Sequence, residues 1–145
     1  MYEFLDRPVT SLDPGGRFLV WSMRSWIKAM SDRHCPRLAL RAAFSKWRMA
    51  PALPPFLEMM ALFNRHGKQN FGFCPLMCNH ISEHEAIIIS LVCSLRDSGD
   101  ARVRDTLSYL VEPDGRVELI RVLSALGQAL ERAEIFPSRS PLPPS

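Results

Sequence analysis

The sequence has no apolar run long enough to cross a membrane. Its longest, around Ala86–Leu95, falls well short of the ~20 residues that a spanning helix needs, and it reads as a buried helix. A secretory leader is also missing. Glu3, Asp6 and Arg7 stand at the start, with no apolar segment behind a basic beginning. This points to a cytoplasmic setting, where the four cysteines stay reduced and serve as thiols or metal ligands rather than as a disulfide frame. No GxSxG, HExxH, P-loop or GxGxxG motif occurs. Glu83 and Glu85 beside His84 are the one constellation suited to acid–base work, and helix capping explains them more simply. The expectation is a protein that is not an enzyme. Internal repeats, RNP motifs and recognition-helix patterns are absent as well.

The chain has 145 residues, 47% of them hydrophobic and 23% charged, the size and balance of one globular domain. The net charge of +3 is unevenly spread. Residues 1–70 carry 11 Lys/Arg against 5 Asp/Glu, whereas residues 71–145 carry 7 against 10. The front half is therefore the candidate face for an anionic partner, unless the two halves pack together and neutralise each other.

The periodicity predicts an all-α, single-domain bundle of about five to six helices. It divides into an extended arm over residues 1–12, a helical domain over 13–136, and a disordered Pro/Ser-rich tail over 137–145. Asp13-Pro14 reads as an N-cap followed by proline at the first helical position. The helix after it runs to about Asp32, with Leu19, Met23, Trp26, Ile27 and Met30 inward. Cys35-Pro36 starts a second helix, to about Met49, with Leu40, Ala43, Phe44 and Trp47 inward. A third is expected over Pro55–Arg65. Residues 69–81 read as a loop anchored by Phe71, Phe73, Leu76 and Met77. Ser82-Glu83-His84-Glu85 is a capping box, opening a helix so apolar that it belongs at the centre of a bundle. A short helix over Ala101–Val111, a turn at Glu112-Pro113-Asp114-Gly115 and a last helix to about Glu134 complete the chain.

Cys74, Cys78, His80 and His84 fall within eleven residues, as Cys-x3-Cys-x-His-x3-His. Thiolates and imidazoles suit zinc, so these four are candidate metal ligands. The spacing is awkward, because one residue separates the two pairs and the loop must double back for all four to converge. The competing reading makes both cysteines small packed residues and His84 a first-turn surface residue. Cys35, at a helix start that would lower its pKa, is the candidate redox thiol. Cys93 reads as core. Two basic stripes, Arg17, Trp21, Arg24 and Lys28 on the first helix and Arg37, Arg41 and Arg48 on the second, are candidates for holding phosphates. The alternative is solvated helix faces with long stems over apolar surface.

Phe18-Leu19-Val20-Trp21 with Trp26, Cys35-Pro36, Cys74-Pro75, Cys78, and Ser82 to Glu85 before an aliphatic helix resemble a group of short proteins from alpha-proteobacteria. The likeness extends over Leu12 to Glu134. It implies a small helical bacterial protein and no particular activity, and its pattern does not include His80 or His84. Together these readings lead to a helical binding or regulatory protein that works through a protein partner and carries a Cys/His metal or thiol site. The alternative is a nucleic-acid-binding module using the first two helices.

Overall fold

A computed structural model describes residues 3–68 and 70–139. Six α-helices form one bundle: α1 (Pro14–Ser31), α2 (Pro36–Lys46), α3 (Leu53–His66), α4 (Glu83–Asp97), α5 (Gly99–Leu110) and α6 (Pro113–Arg132). Short 3₁₀ turns cover Val9–Ser11 and Ala50–Ala52. No strand occurs among the described residues, and none of their helices is long and apolar enough to cross a membrane. The expected all-α bundle is the fold observed.

The chemistry of the helix starts follows the sequence. Asp13 Oδ1 accepts from the Gly16 amide at 2.9 Å, with Pro14 at the first helical position. Ser82 and Glu85 form both halves of the capping box. Each arrangement satisfies amides that would otherwise have no partner at a helix end. Helix α4 is central, as expected. Ile87, Ile88, Ile89, Leu91 and Val92 are fully buried on every side of it, and α1, α5 and α6 pack around it.

The helix ends are less regular than the sequence suggests. Helices α1, α2 and α6 each close with the hydrogen-bond pair of a Schellman motif, for example Met49 N to Phe44 O at 2.7 Å and Arg48 N to Ser45 O at 3.1 Å. Their left-handed residues are Arg33, Arg48 and Glu134, at φ 58°, 59° and 61°, where glycine is the usual occupant. Proline and glycine also misled. Helix α3 begins at Leu53, before Pro54 and Pro55, because prolines in a first turn have no hydrogen bond to lose. The expected turn at residues 112–115 is the start of α6. Gly115 lies inside that helix because a Cβ there would come within 2.7 Å of the His66 ring. The α2 helix stops at Lys46 rather than near Met49, and α5 begins at Gly99 rather than Ala101.

Both chain ends are more engaged than an arm and a tail. Phe4 and Leu12 are buried. Asp6 and Val9 donate their amides to the Ile81 and Asn79 carbonyls, and Ile81 donates to Arg7 O, so this segment pairs with the loop before α4. At the other end Pro137 is buried, and Ser138 N donates to Asp13 Oδ2 at 2.7 Å. Arg139 reaches Ser90, Ser94, Asp97 and Glu3. Gly15 makes room for this strap, since a side chain there would collide with the Ile135 carbonyl. Residues 137–139 of the expected disordered tail are therefore held in place, and its remainder, 140–145, lies outside the described residues.

Candidate functional site

The Cys/His loop is organised around a cation, the side chain of Arg24. This residue was expected on an anion-binding stripe, but it is 3% exposed. All five of its N–H groups are used. Nε and Nη2 donate to Glu85 Oε2 and Oε1 at 2.8 and 2.9 Å. Nη1 donates to the Pro75 and Cys78 carbonyls at 3.1 and 2.6 Å, and Nη2 also donates to His80 O at 2.7 Å. Glu85 is equally saturated, since it also accepts from the Ser82 and Cys74 amides. The Glu85 hydrogen bond and charge raise the Arg24 pKa against the cost of burial. One buried ion pair thus ties α1 to α4 and folds the loop over both.

With three carbonyls drawn inward onto Arg24, the centre of the turn faces out. Met77 is 95% exposed and Leu76 is partly exposed, so neither anchors the loop as expected. Phe71 and Phe73 do pack against the core. His84 is buried rather than exposed. Its Nδ1 accepts from the Gly72 amide at 2.7 Å, and its ring meets Phe71 edge-on at 4.8 Å. His80 is exposed. Cys74 and Cys78 lie near each other, and the Cys78 sulfur sits 3.5 Å from the His80 amide, which donates to it. The four candidate ligands do not converge, and among the described residues no three His, Cys, Asp or Glu side chains are placed to hold a metal ion. Cys35 is exposed at the start of α2, where its side chain makes no capping bond. Cys93 is buried, and burial pushes its thiol up to about 12.

The remaining basic residues separate by partner. Lys28 pairs with Asp32 at 2.8 Å on the surface. Arg37, Arg41 and Arg48 are exposed, and among the described residues none of them is paired with a carboxylate. Arg17 donates to the Leu12 and Thr10 carbonyls at 3.0 and 2.6 Å, so its charge is not neutralised by an acid.

Arg17 and Arg48 flank a cavity that the sequence did not reveal. It has a volume of about 700 Å³ and lies between the start of α1, the end of α2 and the segment after α6. Phe18, Trp21 and Trp47 form its aromatic wall, Arg132 joins the other two arginines, and no carboxylate side chain lines it among the described residues. Trp21 and Trp47 pack edge to face at 4.8 Å, and Trp47 packs on Phe18 in the same way at 6.3 Å. Trp47 was expected inside, yet it is 45% exposed, because the helix closes at that residue and the chain turns at Arg48. A partial signal was present: Pro14, Arg17, Phe18 and Trp21 recur at helical spacing on α1. Arg132 and Ile135 come from the far end of the chain, and no local pattern joins them to it. The chain matches no protein-family model, no curated protein and no solved structure.

Proposed function

We propose that this chain is a non-enzymatic binding protein, and that the cavity beside Trp21 and Trp47 takes a small organic anion with a flat apolar body. The observation that carries this reading is the grouping of Arg17, Arg48 and Arg132 around an aromatic wall, with no carboxylate among the described lining residues. A volume of about 700 Å³ lies within the range of small-molecule sites. Guanidinium groups recognise carboxylate, sulfonate or phosphate through paired hydrogen bonds. The tryptophans offer ring surface for an aromatic body. Among the described residues the lining holds no nucleophile and no histidine, which favours binding over catalysis. Quenching of tryptophan fluorescence by an anilinonaphthalene sulfonate probe tests the reading. Saturable binding should weaken roughly 10- to 100-fold in Arg48→Ala/Arg132→Ala, the equivalent of one charge-assisted hydrogen bond. Equal affinity in wild type and variant would refute it.

A second reading is favoured by Arg37 and Arg41 on α2, which are exposed and have no carboxylate partner among the described residues. These suit the phosphates of nucleic acid. Arg24 is removed from that surface by burial, and Lys28 is already paired. Salt-sensitive retention on single-stranded DNA, lost in Arg37→Glu/Arg41→Glu but kept in the cavity variant, would select this reading.

A further inference from the structure

We infer that Cys74 and Cys78 form a dithiol site, which closes to an intramolecular disulfide by exchange with a small-molecule disulfide of the glutathione class. Three observations carry this. First, the two residues flank a single turn, closed by the Cys78 amide donating to Pro75 O at 3.0 Å. Second, the two thiols lie near each other, and the Arg24 guanidinium that draws in the Cys78 carbonyl sits beside them. Third, the backbone at both ends is held independently of the sulfurs. The Cys74 amide donates to Glu85 Oε2, and the Cys78 carbonyl accepts from Arg24 Nη1. The loop therefore presents the pair in place whether the sulfurs are reduced or joined. That removes much of the ordering cost of bringing two thiols together.

The chemistry divides between the two residues. Cys74 lies on the part-buried side of the loop, its amide tied to the buried Glu85 carboxylate, whereas the Cys78 sulfur makes its contacts on the exposed side, so Cys78 meets an incoming disulfide first. The Cys78 sulfur accepts the His80 N–H at 3.5 Å, and its S–H faces the His80 carbonyl at 3.6 Å. Cys78 loses its proton to solvent and attacks one sulfur of the small disulfide. The S–S bond breaks, one small thiol leaves with the electron pair and takes up a proton, and a mixed disulfide remains on Cys78. Cys74 then gives its proton to solvent, and its sulfur attacks the Cys78 sulfur. The second small thiol is released and the Cys74–Cys78 bond forms. Two protein thiols are oxidised and one small disulfide is reduced to two thiols. Cys35 has no neighbouring thiol among the described cysteines, and Cys93 is buried against the Pro137 carbonyl, so neither competes for closure.

The test is incubation of the full chain with oxidised glutathione, followed by trapping of free thiols and mass-spectrometric peptide mapping. In the wild type the expected product is a monomer two hydrogens lighter, with Cys74 linked to Cys78. Cys74→Ser should accumulate the Cys78–glutathione adduct at least tenfold over wild type, since nothing resolves it. Cys78→Ser should form neither product at a comparable rate. Because serine keeps the residue 74 amide and the residue 78 carbonyl, circular dichroism should confirm that both variants remain folded. A persistent Cys78 adduct in the wild type, dimers linked through Cys35, or both thiols left unreacted would overturn the inference. Thiols that react only after a chelator is added would also overturn it, and would assign the pair to a bound metal.

Discussion

Replacing Arg24 by methionine removes five donors at once and leaves Glu85, at 0% exposure, without its counter-ion. Breaking a buried ion pair by taking one partner away costs about 3–5 kcal/mol, because the remaining charge stays desolvated. The Pro75, Cys78 and His80 carbonyls lose their donor as well, although their position near the surface lets water replace part of it. Against a total stability of about 5–15 kcal/mol for a domain, this is a large fraction, equivalent to a fall of roughly 6–20 °C in Tm at this size. Urea unfolding followed by circular dichroism measures it directly. In Arg24→Met/Glu85→Leu, where no charge is left unpaired, the loss should be smaller than the sum of the single changes by roughly 2 kcal/mol. Lys28→Ala, one turn further along α1, breaks an exposed pair and should leave the midpoint unchanged. An Arg24→Met midpoint within about 1 kcal/mol of wild type would refute the claim that this ion pair holds the loop.

Two further changes probe other parts of the molecule. Arg33→Gly and Arg48→Gly both relieve a left-handed φ at a helix end, so each should raise stability by roughly 0.5–1 kcal/mol in thermal unfolding. Only Arg48→Gly removes a cavity cation, so only that variant should lose anion affinity. For Cys93, the folded-state value of about 12 exceeds that of an unfolded thiol. The unfolded chain therefore loses its proton first, and stability should decline as pH rises from about 9 toward 12. Cys93→Ala should lack that part of the slope, and native Cys93 should resist alkylation at pH 8 while Cys35 reacts.

The sequence made the helices legible wherever the signal was local. Asp13-Pro14, Cys35-Pro36 and the Ser82–Glu85 box each mark a start by the hydrogen bonds they satisfy or do without. The unbroken aliphatic run of α4 identified the centre of the bundle. The ends of α1 and α6 were placed within two residues, but the left-handed residues that close α1, α2 and α6 were not legible, because arginine or glutamate fills positions that usually announce themselves with glycine. Arg24 and Lys28 look alike on one helical stripe. The difference between them is made by Glu85, 61 residues later, and the only local hint was a carboxylate opening an otherwise apolar helix. Pro137 to Arg139 resemble a tail in composition, yet Asp13, Ser90 and Asp97 hold them in place. The cavity was least legible of all, because its arginines come from α1, the end of α2 and the end of α6, and only the packing of the bundle brings them together.

The most direct test of the binding role is a calorimetric titration of the wild-type protein with two ligands that share one aromatic body, a naphthalene sulfonate and its uncharged naphthalene alcohol. The cavity reading predicts saturable one-to-one binding of the sulfonate, at least about tenfold tighter than the alcohol, with that preference abolished in Arg48→Ala/Arg132→Ala. Equal binding of the two ligands, or a preference that survives in the variant, would contradict the assignment of the arginine-rimmed cavity as the site.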